Sequence, residues 1–591
     1  MELDSVLVRL CIESACSSRD SVERWRMQRR TLQRLPPQLA SALLRRLLQR
    51  RLLSPSLLEA FKYCVDEVDL RGETSVDAEW MAYLGGFRYL HYLNVADCHR
   101  VTSSALWPIA GMTHLKELDL TRCVKFTDAG IKHLLSISTL EKLFLSETHL
   151  TAAGVALLAS LSNLSVLDLG GLPVTDQALR SLQVLTKLQC LDLWGSKVSD
   201  NGVAALQMFP KLSYLNLAWT SVSLLPYFAS LESLNMSNCI INSVFKYHGD
   251  KPHLSELRIA GATLENEAEA FEHIEKSFLT CLDAARSSLS RFGFLSCMVG
   301  LKYLDLSSTG LGDESVEHIA RIGMNLRNLN LSNTRVSSAG VEALAGCVPN
   351  LENLSLSYTQ IDDFAVLYIS TMPALKAIDL SHTSIKGFIP KVGDESDQAL
   401  SLTALESHHL EKLNLENTLV EDDSLFPLSK LQQLRQLSLR NCSLTDISLH
   451  RLSPLTELKS LCFCDVVLTN HGLDSFKPPA TLEMLDIRGC WLLTEDAISS
   501  FHEKYPQVVV RHELVPVLPQ ESESSSSCTP PSRITSKSKQ VTSQTPEKLQ
   551  LSANFLDQRL KYNREELLAL RYSSLSLAPN NGDNVPKIQL D

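Results

Sequence analysis

The sequence predicts an α/β solenoid of about 18 stacked repeats, with a helical N-terminal cap and a disordered C-terminal tail. Three observations carry this expectation. The block L-x-x-L-x-L stands at Leu188, Leu191 and Leu193 and returns 24 residues later at Leu212, Leu215 and Leu217. Between them VSDNGVAAL supplies a helix start at Ser199-Asp200 and then apolar Val203 and Leu206. Eighteen first positions of this kind run from Val65, Leu90 and Leu115 to Leu434, Leu458 and Leu482, most of them 24 or 25 residues apart. One short strand plus one short helix cannot bury its leucines alone, so such units must stack.

A period of this length with this consensus is that of leucine-rich repeats, and 24 to 25 residues suit the ribonuclease-inhibitor type with a helical convex side. The phrase Thr/Ser-Asp-x-Gly/Ala recurs at Thr127-Asp128, Thr175-Asp176 and Ser199-Asp200, an N-cap signal where each helix should begin. The register weakens at Leu231, only 19 residues after Leu212, and at Leu279, where Ala284 replaces the third leucine. The interval from Leu375 to Leu410 swells to 35 residues, which predicts an exposed loop near 387–409 with His408 and His409 solvated. Past Leu482, the run LTEDAISSFHEKYP reads as a capping helix and Val508 to Val510 as a closing edge strand. The expected organisation is therefore a helical segment at 1–60, the solenoid at 61–514, a disordered Ser/Thr-rich linker at 515–550 and a tail at 551–591.

Composition narrows the function classes. The 591 residues are 44% hydrophobic and 21% charged, the balance of a folded protein, and the net charge of −11 argues against a general nucleic-acid binder. No apolar run approaches a membrane span, and Glu2 and Asp4 at the start argue against a secretory signal. The 15 cysteines mostly fall at repeat positions; Cys98, Cys123, Cys239, Cys442 and Cys490 each follow a strand and read as reduced core thiols of a cytosolic or nuclear protein. Cys462 and Cys464 flank core-facing Phe463 without zinc spacing, so no metal site is expected. No phosphate-cradling Gly-rich loop, Gly-x-Ser-x-Gly elbow or His-Glu-x-x-His is present, so neither a catalytic residue nor a cofactor is assigned.

The working surface is expected on the concave strand face, where the residues between the leucines point away from the core. Arg122, Trp194, Tyr214, Trp219, Tyr303, Tyr358 and His382 are the candidate contacts for a protein ligand, aromatic and Arg side chains being the usual anchors. The alternative is that Trp194 and Trp219 pack at the strand-to-turn corner.

Two linear segments resemble known docking motifs. Near the N-terminus, VLVRLCIESA stacks Leu7, Cys11 and Ala15 on one helix face. It resembles the elongin-binding box of cullin ubiquitin-ligase receptors, L-x-x-x-C-x-x-x-apolar, in which the Leu enters a pocket of elongin C. The following LPPQLASAL resembles the companion cullin box at Leu35, Pro36, Leu39 and Leu43. Box, linker, box and then repeats is the order of the ZYG/ZER-type substrate receptors; that resemblance implies assembly with elongin C and a cullin. Val6 stands where the family prefers a small residue or Pro, and the repeats lead into a Ser/Thr-rich tail where the family carries an armadillo-like domain. The stretch LPPQLASALLRRLL also resembles the opening of an F-box, which implies a Skp-type adaptor, and plain capping helices account for the same amphipathic pattern. In the tail, Tyr562, Leu567 and Leu568 fit Tyr-x-x-x-x-Leu-apolar, which resembles the motif that docks on initiation factor 4E; the alternative there is a short helix packing back on the solenoid.

Overall fold

The computed structural model describes residues 6–27, 35–246, 250–390, 398–406 and 408–513. The chain divides into two compact units. The first comprises Met1–Ile361 with Thr371–Leu375, the second Asp362–Ser370 with Lys376–Asp591.

Each of the eighteen repeat starts is followed two residues later by a three-residue strand, from Glu67–Asp69 to Met484–Asp486. The first unit ladders its strands in parallel from Glu67–Asp69 to Asn353–Ser355, and the second does so from Ala377–Asp379 to Val509–Arg511. Within a ladder the middle leucines stand in register, as in Leu118, Leu143, Leu167, Leu191 and Leu215. All five are fully buried. Side chains alternate along a strand, so this row faces the core while its neighbours face the concave side.

The strand exit has its own chemistry. An Asp or Asn at the third strand position accepts the backbone N–H two residues on. Asp119 takes Thr121 N at 2.9 Å, and Asn216 takes Ala218 N at 3.1 Å. The next residue is left-handed in repeat after repeat: Arg122 has φ +57°, Trp219 +60°, Tyr358 +56° and His382 +57°. Such a conformation costs a non-glycine residue about 1–2 kcal/mol. It persists because the neighbouring repeat fixes the backbone, with Arg122 N donating to Ser146 O at 2.9 Å and Trp219 N to Ser237 O at 2.9 Å.

On the convex side the recurring Ser/Thr-Asp pair staples repeat to repeat. Asp176 accepts both the N–H and the hydroxyl of Ser199 at 2.8 Å. Asp313 holds Ser337 in the same way at 2.8 and 2.6 Å. The following Gly is a consequence of close approach: a Cβ on Gly202 would lie 2.3 Å from Asp176 Oδ1, and one on Gly340 would lie 2.4 Å from Asp313 Oδ1. The five post-strand cysteines do a related job. Cys98, Cys123, Cys239, Cys442 and Cys490 each donate Sγ–H to a carbonyl of the preceding repeat at 3.2 Å. The fourteen cysteines of the described residues are free, and burial pushes the Cys98 and Cys123 thiols up to about 12.

The expected helical convex side fails where the register weakens. Around the short repeat at Leu231 the chain forms extended parallel pairs, Leu224–Leu225 with Ser243–Phe245 and Ile240–Ile241 with Thr263–Leu264. A 19-residue interval is too short for a strand, two turns and a helix. The long interval in the second unit carries an antiparallel pair, Phe388–Pro390 with Gln398–Leu400. Asp363 holds both of its ends, accepting Lys386 N at 3.0 Å, Gly387 N at 2.7 Å and Ser401 Oγ at 2.6 Å. His408 corrects an expectation: it is buried beside Leu405, whose carbonyl accepts its N–H at 3.0 Å, whereas His409 is exposed. The closing helix Glu495–Lys504 and the strand Val509–Arg511 form as expected.

Candidate functional site

The concave face of the first unit brings together residues that the repeat pattern leaves free. Val166, Cys190 and Tyr214 stand in register on three adjacent strands, and Asp168, Asp192 and Asn216 form the parallel row beside them. Asn216 Nδ2 donates to Asp192 Oδ2 at 2.8 Å, and Trp194 N donates to Asp192 Oδ1 at 2.9 Å. Burial nevertheless lifts Asp192 to about 6 and raises Asp168 as well. The result is a strip with one largely apolar row and one acidic row side by side.

Six of the seven candidate contacts separate into two rows. Tyr214 and Tyr303 lie on the strands, and the Tyr303 hydroxyl donates to Asp305 Oδ2 at 3.5 Å. Arg122, Trp219, Tyr358 and His382 occupy the left-handed turn beyond the strand exit, which corrects their placement on the strand face. Arg122 is already paired, with Glu147 at 3.2 Å and Asp97 at 3.6 Å. His382 Nε2 meets Asn417 Nδ2 at 3.1 Å. Trp219 stays 64% exposed. Trp194 does pack at the corner: it lies against Gly170, where an added Cβ would sit 2.1 Å from its Nε1. Sequence reading missed the Asp/Asn row, although its signal, Leu-Asp/Asn-Leu, recurs visibly at Asp119, Asp168, Asp192 and Asn216.

The N-terminal helices do two things at once. Helix α1 (Val6–Ala15) is followed by α2 (Arg19–Arg26) and α3 (Pro37–Gln49). The α3 residues Ala40, Leu43, Leu44 and Leu47 are buried. Leu43 thus belongs to the cap, a correction to its assignment as an adaptor contact. Leu35 and Leu39 remain half-buried and Pro36 exposed. Helix α1 is pinned by one side: Glu13 binds Arg46 at 2.7 Å and also pairs with Arg50, Arg50 Nη1 reaches Cys16 O at 3.0 Å, and Trp25 Nε1 reaches Ala15 O at 3.0 Å. The Arg46 hydrogen bond heads the causes that hold Glu13 below the usual carboxylate range. Its other side carries Leu7, 71% exposed, Leu10, 60% exposed, and exposed Cys11, with Ala15 half-buried. Tyr562, Leu567 and Leu568 lie outside the described residues.

Comparison with known proteins agrees with this architecture. A family model described as Leucine Rich repeat matches residues 111–135, 301–320 and 324–345. The chain is a leucine-rich-repeat protein with an α/β solenoid fold. Among solved structures it is similar to an internalin (inlF) of Listeria monocytogenes, at 18% identity over 71% of this chain and 93% of that one, with a TM-score of 0.33. It is also similar to the TLR13 chain of a complex with the RNA ssRNA13, at 18% identity over 69% of this chain and 64% of that one, with a TM-score of 0.46. No curated protein matches. Among the described residues no helix is long and apolar enough to cross a membrane.

Proposed function

We propose that this chain is a non-enzymatic recognition subunit: its concave strip holds a protein ligand, and α1 joins it through an elongin C-type adaptor to a cullin ubiquitin ligase. The observation that carries the reading is the two-sided character of α1. A helix recruited only to cap the solenoid would turn Leu7 and Leu10 inward. Here they stand in solvent while the opposite side, with half-buried Val8 and Ile12 leading to buried Cys16, packs on the fold, the arrangement a helix-in-groove partner needs. Leaving two leucines and a cysteine in water forgoes roughly 1.5–3 kcal/mol per large side chain, which a partner's groove would recover. The reduced thiols fit action in the cytoplasm or nucleus. The test is affinity capture from cells with the whole chain beside Leu7→Asp/Cys11→Asp and Tyr214→Ala/Trp219→Ala. Loss of elongin C and cullin with the first variant, and loss of other prey with the second, supports the reading. A Skp-type adaptor in place of elongin C, or capture unchanged by the first variant, overturns it.

A further inference from the structure

We infer that Cys462, Cys464 and Asp486 form a binding site for a thiophilic divalent cation of the zinc class on the concave side of the second unit. Cys462 ends the strand Ser460–Cys462, Cys464 lies two residues on, and Asp486 ends the next strand, with Cys462 and Asp486 in register. Cys462 Sγ lies 3.3 Å from Cys464 Sγ, and Cys464 Sγ lies 3.1 Å from Asp486 Oδ1. One donor atom from each residue falls within 4.8 Å of the others. Two thiolates on tetrahedral zinc stand about 3.8 Å apart, from Zn–S bonds of about 2.3 Å, so a small opening of the pair admits the ion.

The setting favours a metal over a mere cysteine pair. Cys464 and Asp486 are buried, at 2% and 5% exposure, while Cys462 is half-exposed toward the concave side. Arg488 grips the Asp486 carboxylate through Nη2 at 2.7 Å and Nε at 2.9 Å, which fixes the orientation of a ligating carboxylate in the way outer-sphere partners do. Charge closes as well. Binding releases both thiol protons, and two thiolates, one carboxylate and Arg488 then neutralise a divalent ion. A carboxylate oxygen beside two sulfurs selects zinc over copper(I). Three protein donors leave a fourth position for water or for a side chain of the bound partner. The strand-end position of Cys462 holds Ser438 and Asn414 in the two preceding repeats, and the position of Cys464 holds Arg440 and Glu416, so the two thiols are departures from the repeat and not part of its packing rule.

The probe is cobalt(II), then zinc, titrated into the reduced, metal-free whole chain. One cobalt per chain should give a thiolate-to-metal charge-transfer band with tetrahedral visible bands, lost on adding zinc, and about two protons released per ion. Cys462→Ser/Cys464→Ser should abolish the bands, and Asp486→Asn should weaken binding tenfold or more while keeping the thiolate band. Cys297→Ser, at an exposed cysteine outside both sites, should leave all of this unchanged. Should the double variant unfold, Cys462→Ser alone must remove about half of the charge-transfer intensity, since each thiolate contributes separately. Absence of the band in the parent chain, its survival at undiminished intensity in the Cys462 variant, or conversion of the pair to a disulfide with no metal uptake under reducing conditions would overturn the assignment.

Discussion

Helices α1 and α4 (Asp313–Ile322) are both ten residues long and both amphipathic, yet they spend their apolar faces in opposite ways. In α4, Val316, Ile319 and Ile322 are buried, and Asp313 and Glu314 in the first turn with Arg321 in the last complement the helix dipole. Helix α1 has no acidic residue in its first turn and no basic one in its last, leaves Leu7 and Leu10 in water, and is tied to α3 by the Glu13 ion pairs. An apolar stripe therefore says only that something is to be covered. Where the charged face is tied down decides whether the fold or a partner does the covering.

The comparison breaks most directly by truncation. Ile319→Ala should cost about 4 kcal/mol in urea unfolding, the range for emptying a filled core site. Leu7→Ala should stay within about 0.5 kcal/mol; a loss at Leu7 approaching that at Ile319 would make α1 an ordinary packing element. The concave row sharpens the contrast, because Asp192 is a residue kept at a cost to stability. Its carboxyl sits at about 6 in the folded chain against 3.8 when free, so the folded state binds the proton more tightly and stability falls as pH rises through that window. Asp192→Asn, in a row where Asn216 and Asn235 already stand side by side, should raise stability by about 3 kcal/mol at pH 8 and by almost nothing below about pH 3. Melting curves at the two pH values decide it.

A smaller effect separates the staple from helix propensity. Gly340→Ala places a methyl against Asp313 and should destabilise by about 1 kcal/mol although Ala is the better helix former, while Gly111→Ala, with nothing within 4 Å, should be neutral. The smallest concerns attachment alone. Glu13→Gln should speed amide exchange within residues 6–15 without moving the main melting transition, and unchanged exchange would mean that Cys16, Trp25 and their neighbours hold α1 unaided.

Much of this was legible in the leucines. Every repeat start opened a strand, because period-two burial and a fixed interval constrain one another. Thr127-Asp128 and Thr175-Asp176 marked helix starts, whereas Ser199-Asp200 opens a turn ahead of the 3-10 segment Val203–Met208; the clamp from Asp176 across to Ser199 was not visible, since it joins residues 23 apart that no local pattern connects. The left-handed turn was hidden for a different reason: Arg122, Trp219, Tyr358 and His382 occupy it in place of the glycine that normally announces it. Distance in sequence also concealed Asp486, which sits 22 residues from Cys464. As for α1 and α3, both read as amphipathic helices, yet Leu43 turns inward and Leu7 outward, a difference that apolar periodicity does not encode.

Asp363 reaches Lys386, Gly387 and Ser401, so one carboxylate moors both ends of the longest interval between repeats. Once those ends are fixed, lengthening the span between Pro390 and Gln398 adds closure entropy only slowly, about 0.6 kcal/mol for each doubling. The leucine ladder on either side is indifferent to what the span contains. This makes the site a natural port for sequence drift and for grafted peptides, a position where new recognition can be acquired while the scaffold beneath stays as it is.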